Sequence, residues 1–199
     1  MNAKLLLIGT LAGAFTLFGW ETLSNAALPW HMATMRAFPD STAAVQSIRA
    51  HAPENGLYYD TRGVVAAVSF TPDMIDKSTL LGPMMVRQIG LNLVVALVLL
   101  LGMQRMPRLT TTGYALAFAV GAFAISLSTF VSNWNWWGYP AAWTAVQVVD
   151  RTIGFALMGL ALGGLLNKWS PRVTTDEWGG VKAQGGLPST MGAPRGTRG

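Results

Sequence analysis

The sequence has no cysteine and only two histidines, His31 and His51. A chain without cysteine forms no disulfide, thiolate metal site, iron–sulfur cluster or cysteine nucleophile. Two histidines are too few for a three-histidine metal site, and neither lies in an apolar run where a haem b would need its axial ligands. The sequence also has no P-loop, GxSxG, HExxH or dinucleotide-binding motif. We therefore predict no metal site and no catalytic residue, and we predict that the chain is not an enzyme.

Charged residues are scarce as well. They make up 12% of the 199 residues, against about 25% in an ordinary soluble domain. Hydrophobic residues make up 51%, and the mean hydropathy is +0.38. Because the few charges leave long uncharged stretches, the composition indicates an integral membrane protein and excludes a soluble enzyme. The net charge is +5, but the basic residues are too sparse to indicate a nucleic-acid partner.

Four apolar segments reach the roughly 20 residues that a helix needs to cross a bilayer. We predict an all-α membrane protein with four transmembrane helices and a small extracytoplasmic α/β loop region. The spans are expected over residues 5–27, 83–103, 112–131 and 141–166. The chain divides into helix 1 over 1–27, the loop region over 28–82, helices 2 to 4 over 83–166, and a Gly/Pro-rich tail over 167–199.

The loop region between the first two spans is long enough to form structure in water. Asp40 or Ser41 is placed to cap a short helix over residues 43–50, which Pro53 ends. β-Branched and aromatic residues then flank a turn, which predicts a β-hairpin over residues 56–70. A segment of this size cannot bury a core alone, so we expect it to lie on the outer face of the helices.

The distribution of Lys and Arg predicts the orientation, because loops kept in the cytoplasm are enriched in these residues. One side would carry eight of them against two acidic residues, together with both termini. We predict a multi-pass protein of the bacterial inner membrane with both termini cytoplasmic. In an alternative, Lys4, an apolar region and Ser24-Asn25-Ala26 form a secretory signal, whose cleavage would leave three helices.

The tail is rich in Gly, Pro, Ser and Thr and has no apolar periodicity. This composition predicts disorder. A neighbouring protein that bound the tail would order it, so the tail is a candidate contact with other subunits.

Ionisable residues inside the predicted spans are the most informative feature, because each costs about 3 kcal/mol at the bilayer centre if it is unpaired. We expect Arg87 to pair with Asp150 or Glu21 in the outer third of the helices. Arg151 points about 100° away from Asp150, so it should reach the outer surface or another helix. The expected intramembrane polar cluster consists of Glu21, Arg87, Asp150, Arg151, Asn92 and Gln147, with Gln88 beside them.

This cluster has two interpretations. It either fastens the helices together, or it forms a proton or ion relay or a polar binding pocket. The inner halves of the predicted spans contain no ionisable residue that would continue a relay. The sequence therefore favours the fastening role.

A second constellation lies at the outer interface, where Trp and Tyr prefer to sit. It consists of Trp30, His31, Trp134, Trp136, Trp137 and Tyr139. We expect His31 to contact either the Trp-rich connection or Asp150. The constellation is an interfacial anchor or, alternatively, a site for a lipid, quinone or pigment.

Small residues recur at four-residue spacing in three spans and permit close helix contacts, either within the bundle or with another subunit. These helix-packing positions are Gly9, Gly13, Gly113, Ala117, Gly121, Gly159 and Gly163.

LPWH over residues 28–31, a glycine-tyrosine hairpin in the loop region and NWWGYP over residues 135–140 resemble a group of uncharacterised bacterial four-span inner-membrane proteins. The resemblance covers roughly residues 5–166. It implies the four-helix architecture and supplies no catalytic or binding residue.

Two functions from different classes are compatible with the sequence. The first is a non-catalytic accessory or scaffold subunit of a larger inner-membrane complex, such as a respiratory or photosynthetic one. Its partners would be the lipid bilayer and other subunits, which it would contact through its helix faces and tail. The alternative is a small permease or ligand-binding membrane protein that uses the outer-leaflet Glu/Arg/Asp cluster.

A membrane enzyme is the weakest hypothesis, because Glu21, His31 and Asp150 would have to serve as acid and base without a metal. We predict no cofactor, although the outer face has room for a bound lipid, quinone or pigment.

Overall fold

Residues 3–69, 77–169, 173–175 and 181–183 are described in the computed structural model. Four helices in this part of the chain are long and apolar enough to cross a membrane. They run over Ala3–Ala26, Gly82–Met103, Thr111–Trp137 and Ala141–Trp169. The predicted four-helix membrane architecture is thus confirmed in the number, length and composition of its helices.

The first part of the chain contains α1 (Ala3–Ala26), α2 (Trp30–Ala33), α3 (Ser41–His51), β1 (Gly56–Asp60) and β2 (Val64–Val68). The second part contains α4 (Lys77–Met103), α5 (Thr111–Ser126), a π-helical turn (Leu127–Val131), α6 (Ser132–Trp137) and α7 (Ala141–Trp169). In the tail, β3 (Val173–Thr175) and β4 (Val181–Ala183) pair antiparallel, which departs from the predicted disorder. The other tail residues for which we predicted disorder lie outside the described residues.

The loop region contains the elements that the sequence predicts. Asp40 caps α3, because its Oδ1 accepts a hydrogen bond from the Ala43 amide at 2.9 Å. Strands β1 and β2 pair antiparallel, with Tyr58 opposite Ala66. Gly63 in their turn has a φ of +96°, a value that glycine adopts without strain. The last residue of the predicted hairpin, at position 70, lies outside the described residues.

Two helices extend past their predicted ends. Helix α4 begins at Lys77 and continues through Pro83, where we expected a start. Proline has no backbone N–H, so one helical hydrogen bond is missing at Pro83. A membrane helix tolerates this loss when neighbouring groups satisfy the backbone carbonyl that is left free. The third span continues through the π-helical turn and α6 to Trp137, so the predicted connection over 132–140 is mostly helical. Gly138 ends it with a left-handed φ of +68°.

Helix α1 contacts α4 and α7, and α7 contacts α1 and α5, so the packing order of the four long helices is α4, α1, α7, α5. We call the half of the bundle with the start of α1 and the end of α7 the inner half, after the predicted orientation, and the opposite half the outer half. Most of the buried apolar core lies in the inner half, where it includes Leu5, Leu100, Met103, Tyr114, Leu162 and Leu166.

Candidate functional site

The Asp150 carboxylate of α7 is the centre of a polar cluster in the outer half. Trp20 Nε1 donates to Asp150 Oδ1 at 2.8 Å, and Ser24 Oγ donates to the same oxygen at 2.6 Å. His31 Nε2 lies 3.5 Å from Asp150 Oδ2. Trp30 Nε1 donates to Ser24 Oγ at 3.0 Å. These five residues, which we call the Asp150 cluster, join α1, α2 and α7.

The local sequence explains how this cluster assembles. Trp20 and Ser24 are four residues apart, so they share one face of α1. Gly154 lets α7 approach that face, because a Cβ at this position would lie 2.8 Å from the Trp20 ring. Helix α1 ends at Ala26, and Pro29 precedes the short helix α2 that carries Trp30 and His31.

Counting the donors assigns the proton on His31. Ser24 has one hydroxyl proton, which it gives to Asp150, and it already accepts a proton from Trp30. The 3.1 Å contact between Ser24 Oγ and His31 Nε2 therefore requires Nε2 to be the donor. His31 Nδ1 is buried and has no hydrogen-bond partner in the described part of the chain.

Aromatic rings shield this histidine, which is only 4% exposed. Trp30 meets its ring edge to face with centroids 5.8 Å apart, and Trp143 of α7 does so at 6.0 Å. Trp20 and Trp30 form another such pair at 6.2 Å. Because these rings keep water away, the hydrogen bonds of the cluster lie in a low local dielectric and are stronger than they would be in water.

A second polar cluster lies on the other side of α1. Glu21 is one residue, and thus about 100°, around the helix from Trp20, and it faces α4. Gln88 Nε2 donates to the two Glu21 carboxylate oxygens at 3.1 and 2.9 Å. Asn92 Nδ2 donates to Oε2 at 2.7 Å, and Asn92 is 1% exposed. These three residues, the Glu21 cluster, join α1 to α4.

The predicted ion pair of Arg87 with Glu21 or Asp150 is not formed. Arg87 is exposed on α4, and Gln88 beside it faces Glu21 instead. Adjacent helical residues point about 100° apart, so only one of the two can face α1. The Asp150 carboxylate instead lies against Trp20, Ser24 and His31.

The two remaining members of the predicted intramembrane cluster lie apart from both carboxylates. Arg151 is exposed, and its Cζ lies 5.7 Å from the centre of the Phe130 ring in the π-helical turn, a cation–π contact. This contact agrees with the expectation that Arg151 meets a different helix. Gln147 is half-buried on α7 and belongs to neither cluster.

The interfacial constellation divides into two groups. Trp30 and His31 join the Asp150 cluster, so the expected contact of His31 with Asp150 is the one that forms. The aromatic residues of the connection before α7 stay 39–75% exposed, and these are Trp134, Trp136, Trp137 and Tyr139. The last two border a separate cleft of about 430 Å³, whose other wall is formed by Leu57, Val65 and Ala67 of the hairpin.

The small residues on α1 and α7 are close-packed inside the bundle. A Cβ on Gly13 would lie 3.1 Å from the Ala96 Cβ of α4, and one on Gly9 would lie 2.9 Å from Leu100. A Cβ on Gly159 would lie 2.8 Å from the Ala115 Cα of α5, and Gly163 packs against Tyr114 and Thr111 in the same way. In the structure, both pairs lie at close helix contacts inside the bundle.

The small residues on α5 behave differently. Among the described residues, apart from the adjacent backbone of its own helix, no atom lies within 4 Å of a Cβ built on Gly121, and a Cβ on Gly113 meets only Leu109 and Thr110, close to it in the chain. Ala117 between them is half-buried. The face that packs against α7 is formed instead by Tyr114, Ala115, Phe118, Ala122 and Ser126. The Gly113/Ala117/Gly121 stripe is thus open at Gly121 only.

Sequence reasoning did not assign Trp20 and Ser24 to the Asp150 cluster, or Trp143 to the surroundings of His31. The four-residue spacing of Trp20 and Ser24 beside Glu21 was a usable signal for a polar face on α1. Trp143 gave no such signal, because its contact with His31 depends on the turn that carries α2 back over the end of α1.

The arrangement of Ser24, His31 and Asp150 suits fastening better than nucleophilic catalysis. A catalytic triad needs the carboxylate on one histidine nitrogen and the serine on the other. Here both partners approach Nε2, and Ser24 is fully buried. The part of the chain that the structure describes also contains no group of three His, Cys, Asp or Glu residues that could hold a metal ion.

The fold and the site define a four-helix membrane protein whose outer half is held together by two carboxylate-centred clusters. The chain matches no protein-family model, no curated protein and no solved structure.

Proposed function

We propose that the protein is a non-catalytic accessory or scaffold subunit of a larger bacterial inner-membrane complex, with both termini in the cytoplasm. The observation that carries this proposal is the way the two intramembrane carboxylates are used. Glu21 and Asp150 both accept hydrogen bonds from neighbouring helices, so they act as fasteners between spans. A rigid bundle of this kind suits a structural role.

Exposed groups on α4 and α5, the two helices at the ends of the packing order, support binding of a partner subunit. Arg87 on α4 is exposed at the depth of Glu21 and has no acidic partner among the described residues. An acidic group on a neighbouring subunit would offset the cost of that charge, which is about 3 kcal/mol at the bilayer centre. On α5, Gly121 is open and is bordered by exposed Leu116 and Val120, a surface against which another helix can pack closely.

The test is copurification from native membranes in mild detergent. We expect a partner at fixed stoichiometry, and migration as a monomer or homodimer without a partner would contradict the proposal. Arg87→Gln and Gly121→Leu should each release the partner while the chain stays folded. Arg151→Gln and Gly164→Leu are the matched controls, because Arg151 is held over Phe130 and Gly164 is open on a different helix.

The alternative of a small permease or ligand-binding protein has less support. It requires Glu21 or Asp150 to face a transported species, whereas both carboxylates are bound by side chains of the bundle. It would gain support if Asp150→Asn abolished an uptake or binding signal without lowering the amount of folded protein.

A further inference from the structure

An apolar groove of about 400 Å³ runs along the outer half between α7 and the end of the third span. Two helical stripes form its walls, and the residues in each stripe recur at the three- and four-residue spacing of a single helix face. The walls are Leu127, Val131 and Trp134 on one side, and Ala141, Thr144, Ala145, Val148 and Val149 on the other.

The groove exists because the third span packs closely against α7 along α5 and less closely from the π-helical turn onward. In the inner half, Gly159 brings the two backbones together. In the outer half, the π-helical turn adds a residue to one turn, which shifts all later residues by about 100° around the axis. The walls there carry branched side chains such as Leu127 and Val148, which keep the helices farther apart than glycine does.

The length and chemistry of the groove fit the upper part of one acyl chain. From Thr144 to Val149, the α7 wall spans about 7.5 Å at about 1.5 Å per residue. This is about half of one leaflet of the hydrocarbon core, which is roughly 15 Å thick. The lining is almost entirely hydrocarbon, and an indole, that of Trp134, stands near the end where α7 begins. A flexible hydrocarbon chain fits this shape.

One buried polar group in the wall is without a partner. Thr144 is 7% exposed, and its Oγ1 makes no hydrogen bond within the described part of the chain. A helical threonine hydroxyl usually donates to the carbonyl four residues back, as Thr152 does to Val148 at 2.7 Å, but Thr144 Oγ1 makes no such bond to Pro140 in the described part of the chain. Rotation about χ1 exchanges the hydroxyl and the methyl group, so the hydroxyl can turn toward an acceptor in the groove.

We infer that the groove binds one acyl chain of a glycerophospholipid, with the ester carbonyl of that chain accepting a hydrogen bond from Thr144. Thr144 lies one helical turn from the start of α7, at the interfacial level where lipid ester groups sit. The inference is independent of the proposed subunit role, because the open surface around Gly121 of α5 does not line the groove.

The experiment measures lipid retention by the purified, delipidated protein, with native mass spectrometry after addition of diester phosphatidylglycerol. Wild type should retain one lipid per chain. Ala145→Trp fills the groove and should lower retention at least tenfold. Ala142→Trp is the matched control on the same helix, because Ala142 is exposed outside the groove, and it should leave retention unchanged. Val149→Trp, at a position that is 48% exposed, is a second filling variant if Ala145→Trp fails to fold.

The hydroxyl is tested by comparison with diether phosphatidylglycerol, which lacks the ester carbonyls. Thr144→Val should weaken diester binding roughly fivefold, the effect of one hydrogen bond, and leave diether binding unchanged. Equal retention by wild type and both filling variants would overturn the proposal. So would an isoprenoid quinone or a protein chain released from the groove in place of phospholipid, or an equal effect of Thr144→Val on both lipids.

Discussion

The inner and outer halves of the bundle are held together by different interactions. In the inner half, Gly159 and Gly163 bring α7 against the backbone of α5. In the outer half, the Asp150 carboxylate of α7 accepts a hydrogen bond from α1, and the Glu21 carboxylate of α1 accepts one from α4. Lipid tails are as apolar as leucine, so burial of apolar side chains gives helices in a membrane little reason to associate. The two remaining means are close packing and hydrogen bonding. Glycine contacts are most prominent in the inner half and carboxylate-centred hydrogen bonds in the outer half, while Asn167 also donates to Thr111 at the inner end and Gly154 also packs against Trp20.

The largest loss of stability is expected from a substitution that disrupts the contact between α5 and α7 in the inner half. Gly159→Leu places a side chain where a Cβ alone would lie 2.8 Å from two backbone atoms of α5. Backbone cannot move aside as a side chain can, so we expect a loss of about 3 kcal/mol in the free energy of unfolding. Thermal unfolding in detergent, followed by circular dichroism, measures it. Gly164→Leu, at an open position, should stay near wild type, and equal loss in both variants would contradict the assignment.

A smaller effect is expected when the outer half is broken at its centre. Asp150→Ala removes the acceptor for Trp20 and Ser24 and leaves their buried donors unsatisfied. We expect a loss of about 2 kcal/mol in the free energy of unfolding. The fluorescence of the tryptophans around His31 should change as well. Arg151→Ala is the neighbouring control, and if it destabilised the protein as much as Asp150→Ala, the cluster would not be the fastener.

The smallest effect on stability is expected from the contact between Arg62 and Asp60, which is exposed to water and serves as a comparison for the contacts between the long helices. In the hairpin turn, the hydrogen bonds from Arg62 lower the pKa of Asp60 below 3.8. A lowered pKa in the folded state stabilises the hairpin above the unfolded pKa, and this contribution is lost as the pH falls through the folded pKa. Both side chains are solvent-exposed, so the contribution is small.

Titration of the Asp60 carboxyl followed by NMR tests this comparison. Arg62→Gln should raise the pKa of Asp60 toward 3.8 and leave the unfolding temperature of the bundle unchanged. Arg49→Gln, a charge removal elsewhere in the loop region, is the control. An unchanged pKa of Asp60 in Arg62→Gln would contradict the assigned cause.

Much of the architecture could be predicted because it depends on local properties of the chain. Runs of apolar residues predict the spans, Asp40 predicts the start of α3, and the turn around Gly63 predicts the hairpin. The errors occurred where a neighbour decides the outcome. Pro83 was expected to start a helix that in fact begins at Lys77 and continues through it, and the turn before Pro140 was expected to begin before Trp137.

The candidate site was predicted in part, for a related reason. Depth follows from counting residues along a helix, so the sequence placed Glu21 and Asp150 at one level. Which residue faces which depends on how each helix is rotated about its axis. Adjacent residues on a helix point about 100° apart. On α4, Gln88 therefore faces α1 and donates to Glu21, whereas its neighbour Arg87 points away.

The sequence by itself determined that this chain belongs in a membrane, how many helices span it, and which few ionisable residues require partners. These properties follow from hydropathy and length, which each segment carries without reference to the others. The tertiary structure alone decided the order of the helices, the return of His31 to Asp150 and the groove beside the π-helical turn. Each depends on the rotation and spacing of packed helices, and those are fixed only when distant segments meet.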